Sequence, residues 1–598
     1  MSKPSVWKAI FEKDERPVKK KPDRKANFFT REISGSFTQG MKHLHSRRLL
    51  RLSHAISELI SHISTRIYGT MLLCFALLSS LIYFLGISAD GSITTPIIGI
   101  LLAGISIPFL LTDKPLPIFL QDFGPTDYIF FEFFCMKRHS AVEKIKSFPV
   151  AVAIVAGVLP ALVTVFIPMW QVTLAIVILI CIYIGMTSPE FIFLSSLLCL
   201  PYIRFIPHSE IVFSLAILLA LISFARKVAY GRRVLYIEQY DILMGIMLLF
   251  ILISGIFVKG LESFGGSIKM IVFAMGYILA GNIITNRRLA ELSANSIIIS
   301  GVAASLVSIG QVIATLVKLG ASINQDSVNF VLARQEGVAV SLMASLVFAI
   351  GMIGDTKGVK RALAVISALV CFIALFISGE IMAITSLIIA VGAFFVMRHN
   401  KLPGLFLPIL LAISVAVLLL PDSFLNIIFA SSPSVISAED LFELWHKSLQ
   451  VMSHHLAIGI GIGSESFGQE MAAVGVVGHP NSSNLFIELG LEAGILAPLC
   501  LIILLITRVN HRSMQYLYVR NSQIEKISIL SGACLFSLLA FGMVNYIWSD
   551  ASACYLFWCI FGIGSASLRV AKRDYDDRVI YYEESSAQDS SVIDIEIG

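Results

Sequence analysis

The chain has few charged residues, and this scarcity bounds what kind of protein it is. Asp, Glu, Lys and Arg make up 14% of the 598 residues, while 56% of the residues are hydrophobic. A soluble globular domain carries about 25% charged residues. The mean hydropathy of +0.83 is correspondingly high. These values exclude an ordinary soluble globular protein and indicate a membrane protein.

Motifs that hold metals, nucleotides or nucleic acids are missing as well. The nine cysteines show no zinc or disulfide spacing, and all but Cys135 lie in apolar runs, as small buried side chains do. There is no P-loop, no dinucleotide fingerprint and no nucleic-acid-binding module. The glycine run at 459–463 is not followed by a β-α unit, and we interpret it as flexible backbone. The sequence therefore predicts no metal site, no cofactor and no nucleic-acid partner.

What the chain does have is a series of long apolar runs. Mostly uncharged runs of about 17–22 residues recur between Ile67 and Leu568, each long enough to cross a hydrocarbon core about 30 Å thick. Barrels would need alternating strands of about ten residues instead. The sequence predicts an all-α polytopic membrane protein, a bundle of about 14–16 transmembrane helices with one large external loop. The candidate spans are 67–87, 93–111, 148–166, 169–187, 190–207, 209–225, 241–258, 268–285, 296–319, 338–354, 362–378, 381–397, 403–420, 485–506, 528–548 and 551–568.

Basic residues between the spans predict the orientation of the chain, because Lys and Arg near span ends collect on the cytoplasmic side. With the N-terminus inside, each inner loop holds a basic group, and the segments 320–337 and 421–484 lie outside. Both termini are then cytoplasmic, and the protein is multi-pass in the cytoplasmic membrane. The first apolar run starts near Ile67, which predicts a retained signal anchor rather than a cleaved signal peptide.

Two parts of this topology admit several interpretations. Pro201, Arg204 and Pro207 interrupt the apolar pattern, so two spans, one broken helix or a re-entrant pair all fit 190–225. Residues 112–147, which contain several prolines and an aromatic cluster, are predicted to lie in the inner membrane interface.

The composition divides the chain into five regions. The first 66 residues hold 15 Lys and Arg against 6 Asp and Glu. Within them, 42–65 shows helical apolar spacing, which fits a helix on an anionic membrane surface or a solvated helical linker. The last region is acidic and Ser-rich, and we predict that it is disordered. The regions are a basic cytoplasmic arm (1–66), an N-terminal transmembrane bundle (67–420), a large extracytoplasmic loop (421–484), C-terminal transmembrane helices (485–568) and an acidic cytoplasmic tail (569–598).

The loop 421–484 is long enough that it is expected to fold or to carry function. It contains a helix-like stretch from Ala438 to Ser453, the glycine run, and four of the chain's twelve histidines, His446, His454, His455 and His479. Two stretches stand out: LWHKSLQVMSHHLAIGIGIGSESF, from Leu444 to Phe467, and GHPNSSNLFIELGLEAGIL, from Gly478 to Leu496. Together they resemble the signature of the O-antigen ligase/polymerase superfamily (WaaL and Wzy type), which has a Trp-containing helix, a glycine-rich stretch, then a His-Asn pair that leads into LxExxxExGxxG.

The resemblance is most specific over Leu444 to Ala497, and it implies a function. Members of the family are metal-independent glycosyltransferases with a helical GT-C-like fold. They move a glycan from an undecaprenyl-diphosphate carrier to a hydroxyl of an acceptor glycan or lipid on the outer face of the membrane. The resemblance thus implies a polysaccharide polymerase or ligase whose partners are the lipid-linked glycan, its acceptor and membrane lipids.

The resemblance also assigns site residues. Asn484 aligns with the family Asn, while Glu488, Glu492 and Gly494 align with the positions that follow it. Ser483 stands where the family's His usually stands, so His479 is our candidate for the base that accepts the proton of the acceptor hydroxyl. A surface histidine is the alternative. We assign Trp445, Asn484 and Glu488 to substrate binding.

Arginines are the point at which this chain departs from the family. Arg334 resembles the Arg that precedes a family helix, and its guanidinium suits phosphate, although a snorkelling interfacial arginine is the alternative. Glu380 occupies a position where the family carries Arg, and acids rather than Arg precede Trp445. Lys447 is the single Lys or Arg of the loop 421–484, so Lys447 and Arg334 are our candidates for binding the diphosphate.

Two functions of other classes compete with the transferase. A transporter or flippase for a polysaccharide precursor is one, although the sequence shows no clear internal repeat and its few charges cluster at span ends. A catalytically degenerate partner of an envelope-polysaccharide complex is the other, and the missing arginines favour it.

Overall fold

The computed structural model describes residues 63–88, 93–134, 149–205, 209–229, 233–258, 261–319, 336–354, 357–378, 380–398, 438–476, 478–519 and 523–596. Most of the chain in these ranges is helical and none of it forms a strand, which confirms the all-α prediction. The helices are α1 (Thr65–Phe84), α2 (Thr94–Leu110), α3 (Leu116–Asp122), α4 (Val150–Val163), α5 (Met169–Thr187), α6 (Pro189–Cys199), α7 (Ser209–Ala229), α8 (Gln239–Phe257), α9 (Leu261–Ile283), α10 (Arg287–Leu319), α11 (Glu336–Ile353), α12 (Val359–Ser378), α13 (Ile381–Arg398), α14 (Ala438–His454), α15 (Ser464–Ala473), α16 (Leu485–Ala493), α17 (Leu496–Val519), α18 (Gln523–Gly542) and α19 (Ala551–Glu596).

The apolar helices coincide with the predicted spans. Among the described residues, 8 helices are long and apolar enough to cross a membrane, and seven shorter apolar helices accompany them. Each of these matches one predicted span. The remaining candidate span, 403–420, lies outside the described residues, as do residues 42–62 of the predicted interfacial helix and the first part of the large loop. The chain is therefore an all-α polytopic membrane protein.

Three sequence interpretations are changed by the structure. The segment 190–207 is α6 followed by a 3-10 helix at Leu200–Phe205, which contains Pro201. The predicted span 485–506 is two helices, because Gly494 adopts a φ of +82° and ends α16. The C-terminal region, predicted to be disordered, continues α19 as far as Glu596. The prediction of disorder was wrong, since one continuous helix extends through the acidic sequence.

The centre of the bundle is the apolar part of α19. All residues of its 18-residue apolar stretch within Ala551–Arg573 are buried (100%), whereas only 17% of the corresponding stretch of α5 is buried. Small residues let neighbours approach closely: a Cβ on Gly562 would lie 2.6 Å from the carbonyl oxygen of Tyr277 in α9. The aromatic side chains of Tyr555 and Trp558 are fully buried in the same helix. A helix that is apolar all round is thus covered here by protein rather than by lipid.

The two ends of the bundle differ in charge. At one end, which we call the arginine end, Glu190 at the start of α6 pairs with Lys227 at 2.7 Å and with Arg233 at 2.6 Å. The guanidinium of Arg569 in α19 lies over the Tyr236 ring, 4.3 Å from its centroid. The opposite end of α8 contacts α16, because the Ser254 hydroxyl donates to the Glu492 carbonyl. α14, α15 and α16 therefore lie at this other end, which we call the loop end. Lys227, Arg233 and Arg569, which the charge pattern assigns to one side, therefore share one end of the bundle, while the side of the membrane that this end faces stays a prediction.

Candidate active site

The helix predicted in the large loop is α14, and it is held by one apolar face. Leu441, Leu444 and Val451 are buried at helical spacing, with exposures of 4%, 2% and 3%. Leu444 and Val451 join a small hydrophobic core, separate from that of the bundle, whose other members are Ile460, Phe467, Met471 and Leu491. This core packs α14 and α15 against α16 and makes the described part of the loop a folded unit.

The glycine run between α14 and α15 packs closely on its neighbours, so our interpretation of it as flexible backbone was wrong. Gly459 has a φ of +82°, and a Cβ there would lie 2.4 Å from the carbonyl oxygen of Leu491. The next backbone N–H, of Ile460, donates to that same carbonyl at 2.7 Å. Ile462 N–H donates to the Ser263 hydroxyl at 3.0 Å, which ties the run to α9. Glycine is needed here because side chains would separate these backbones.

Asn484 starts α16 and holds it to the bundle. Its side-chain oxygen accepts hydrogen bonds from the N–H groups of Phe486 at 3.0 Å and Ile487 at 3.2 Å, which is the arrangement of a helix N-cap. Its side-chain nitrogen donates to the Met543 carbonyl at 2.8 Å, just past the end of α18. Asn484 is 3% exposed, so the hydrogen bonds of its side chain are buried.

Trp445 and Glu488 meet at a residue that the sequence did not single out, Ser482. The indole N–H of Trp445 donates to the Ser482 carbonyl at 3.1 Å. The Glu488 carboxylate accepts from the Ser482 N–H at 2.7 Å. Both backbone groups of one residue are thus bound from two different helices, α14 and α16. The structure brings together Trp445, Asn484 and Glu488 around this short segment, in what we call the Ser482 clamp.

His479 lies three residues before the Ser482 clamp, in the segment between α15 and α16, and is half-buried. Ser483, where the family's His usually stands, has a φ of +51°, which is uncommon for a residue with a side chain. Lys447 donates from Nζ to the Val474 carbonyl at 3.2 Å and so connects α14 with the end of α15. Arg334 lies outside the described residues.

Both glutamates of α16 are buried, with exposures of 2% for Glu488 and 3% for Glu492. This helix has nine residues, about 14 Å of length, and it precedes the apolar helix Leu496–Arg508 rather than crossing a bilayer itself. Burial raises the pKa of both carboxyl groups above the usual range. Repulsion from Glu488 adds to the rise at Glu492, while hydrogen bonds from Ser482 lower the pKa of Glu488.

Two further groups hold the far end of α16, and sequence reasoning missed both. The Tyr546 hydroxyl donates to a Glu492 carboxylate oxygen at 2.5 Å. The Ser254 hydroxyl of α8 donates to the Glu492 carbonyl. Neither residue lies near α16 in the sequence, and neither belongs to a motif, so no local signal marks them.

Residues 366–502 match the family model Wzy_C, whose description is O-antigen ligase. The match includes α13, the described part of the large loop, α16 and the Ser482 clamp. A comparison with curated proteins finds no match for the chain.

Proposed function

We propose that this chain is a glycosyltransferase of the O-antigen ligase/polymerase type that transfers or polymerises glycan, because residues 366–502 match the family model described as O-antigen ligase. The donor is a glycan on an undecaprenyl-diphosphate carrier, and the acceptor is a hydroxyl of another glycan or of a lipid. The reaction takes place on the outer face of the cytoplasmic membrane. The observation that carries the proposal is the Ser482 clamp, which fixes the segment of His479 within the matched region.

In the proposed reaction the acceptor oxygen attacks the anomeric carbon of the donor sugar. A new glycosidic C–O bond forms, and the bond from that carbon to the diphosphate oxygen breaks. The carrier diphosphate leaves with the bonding electron pair. The acceptor proton passes to the imidazole of His479, which acts as general base. Because the diphosphate is a good leaving group, the protein's tasks are positioning, proton acceptance and neutralisation of phosphate charge.

Half-burial of His479 suits the role of base, since the imidazole needs contact with the acceptor and shelter from bulk water. Trp445 and Glu488 hold the backbone of Ser482, three residues after His479, by one hydrogen bond each. We propose that substrate binds beside these two side chains and Asn484. A preorganised backbone of this kind reduces the cost of aligning the base with the acceptor.

In this proposal Lys447 and Arg334 neutralise the negative charge of the diphosphate. The hydrogen bond of Lys447 to Val474 uses one of its three N–H donors, which leaves two for phosphate oxygens. Glu380, which replaces a family arginine, is 2% exposed at the turn between α12 and α13. Glu380 supplies no positive charge at this position, so in this proposal the cations come from elsewhere in the chain.

The test is genetic complementation with a matched pair of histidine variants. In a strain that lacks the gene, wild type and His454→Ala are expected to restore the length distribution of surface polysaccharide, whereas His479→Ala is not. His454 is the control because it is an exposed histidine of the same loop unit. Immunoblotting of membranes shows that each variant is present at the wild-type level.

Two results would count against the proposal. Full restoration by His479→Ala removes this residue from the mechanism. An unchanged polysaccharide profile after deletion argues against a polymerase or ligase altogether. Accumulation of lipid-linked units confined to the inner leaflet would instead support the transporter or flippase.

A further inference from the structure

The surface of α14 that faces away from the protein is divided into an apolar and a polar side. Phe442 and Leu449, with exposures of 39% and 44%, lie two helical turns apart on one face of α14. Leu456, with an exposure of 47%, follows seven residues later, just past the end of the helix. α14 ends at His454, and Leu456 lies in the turn that follows, where Gly459 N–H donates to the His455 carbonyl at 3.0 Å. We call these three side chains the exposed strip. Glu443, Gln450 and His454 form the polar side next to it.

The exposed strip is not needed to hold α14 in place. The buried face with Leu441, Leu444 and Val451 already does so. Scattered exposed apolar residues are ordinary on any protein surface. Phe442 and Leu449 on α14, together with Leu456 and Ile458 (39% exposed) in the turns that follow it, form a group of exposed apolar side chains along this edge of the loop unit, which marks an interaction site.

The exposed strip continues directly into the outer surface of a membrane helix. Leu456 accepts a hydrogen bond through its carbonyl from Ile495 N–H at 3.0 Å, immediately before α17 begins. In α17 the side chains of Leu496, Leu499 and Ile503 are 43%, 43% and 45% exposed on the apolar helix Leu496–Arg508. An apolar face that is uncovered on such a helix contacts lipid. The end of the exposed strip and the start of the exposed apolar face of α17 are therefore joined at Leu456 and Ile495.

We propose that the exposed strip is immersed in the lipid bilayer, so that α14 lies along the membrane surface at the loop end with its polar side toward water. The occupant of the strip is the acyl-chain layer that already surrounds α17. An interfacial helix of this type buries its apolar face about 5–10 Å into the boundary between headgroups and acyl chains.

This arrangement fixes the depth of the Ser482 clamp. The Phe442 ring packs edge-on against Trp445, with centroids 5.5 Å apart and an interplanar angle of 89°. Trp445 in turn binds the Ser482 carbonyl at 3.1 Å. The clamp is therefore one aromatic ring away from lipid, at headgroup level. A lipid-anchored molecule of any kind could reach it from the side, so the inference does not depend on the proposed reaction.

The test uses the full-length protein in proteoliposomes and spin labels at neighbouring positions of α14. Leu449→Cys samples the exposed strip, and Gln450→Cys, one residue along, samples the polar side. The signal of labelled wild-type protein is subtracted to remove the native cysteines. We expect a several-fold higher ratio of oxygen to nickel-chelate collisions at position 449 than at 450, because oxygen partitions into lipid and the chelate stays in water.

A second pair, Leu456→Cys and His454→Cys, repeats the measurement on the next turn and guards against a local defect of one variant. Equal ratios at both members of each pair, at the level of an aqueous site, would overturn the proposal. Low collision rates with both reagents at 449 and 456 would also overturn it, since a second copy of the chain or another protein would then cover the strip.

Discussion

The carboxylate of Glu488 accepts a hydrogen bond from the backbone N–H of Ser482 at 2.7 Å, six residues earlier in the chain. Glu488 lies on α16 and is 2% exposed, so the bond is buried and shielded from competition by water. It is one of two bonds that fix this backbone segment, and it is made by a side chain whose position the family motif also specifies. The relationship gives the motif glutamate a positioning role that can be separated from its charge.

Substitution of Glu488 separates the hydrogen bond from the charge. In Glu488→Gln the amide oxygen can still accept from Ser482, so we expect near-normal stability and retained polysaccharide synthesis. In Glu488→Ala the buried Ser482 N–H loses its partner, which costs about 1–3 kcal/mol and frees the segment of His479. Thermal unfolding of purified protein and polysaccharide profiles of complemented cells measure the two effects. Loss of synthesis in the glutamine variant with unchanged unfolding would show that the charge itself is required.

Substitution of Asn484 separates the helix cap from the contact to the bundle. Asn484→Ser keeps an N-cap oxygen but loses the donor to Met543, which we expect to cost about 0.5–1.5 kcal/mol. Asn484→Ala loses the cap as well, at a further cost of about 1 kcal/mol. The unfolding temperatures should therefore fall in the order wild type, serine, alanine. Equal temperatures for the serine and alanine variants would contradict a capping role.

Substitution of Gly459 tests the close packing of the glycine run. In Gly459→Ala the φ of +82° and the 2.4 Å approach of Leu491 oxygen both oppose the new Cβ, so we expect a loss of more than about 1 kcal/mol. Gly468→Ala is the matched control, because Gly468 lies inside α15 with no atom within 4 Å of a new Cβ. That change should leave stability unchanged or raise it by up to about 1 kcal/mol. A flexible run would instead tolerate both substitutions equally.

The helices of the bundle could be predicted from sequence because lipid imposes a simple rule. A span needs about 20 apolar residues and must satisfy its own backbone, so apolar runs and helices coincide. The same rule misplaced the boundary at Gly494, since the apolar run continues through a residue whose backbone conformation ends the helix. It also could not foresee that α19 continues to Glu596, because composition alone does not distinguish an extended helix from a disordered tail.

The candidate site was predictable only as far as the motif reaches. Trp445, Asn484 and Glu488 were proposed because they resemble a family pattern, and the structure places them around Ser482, while their roles stay predictions. Ser482 was not, since it takes part through its backbone, which any residue could supply. Tyr546 binds Glu492 from a segment 54 residues away, and such pairings depend on helix packing rather than on local sequence. The role of His479 and the contribution of Lys447 and Arg334 stay predictions.

The burial of α19 has a consequence for biosynthesis. This helix lies at the centre of the bundle, yet it follows in the chain every helix that surrounds it, among them α9 and α18. During translation the earlier helices enter the membrane before their common packing partner exists. Until Ala551–Arg573 arrives, the surfaces that will cover Tyr555 and Trp558 must face lipid or another protein. The bundle therefore reaches its packed state only after this helix is inserted, and truncation before Ala551 would leave an assembly without a centre.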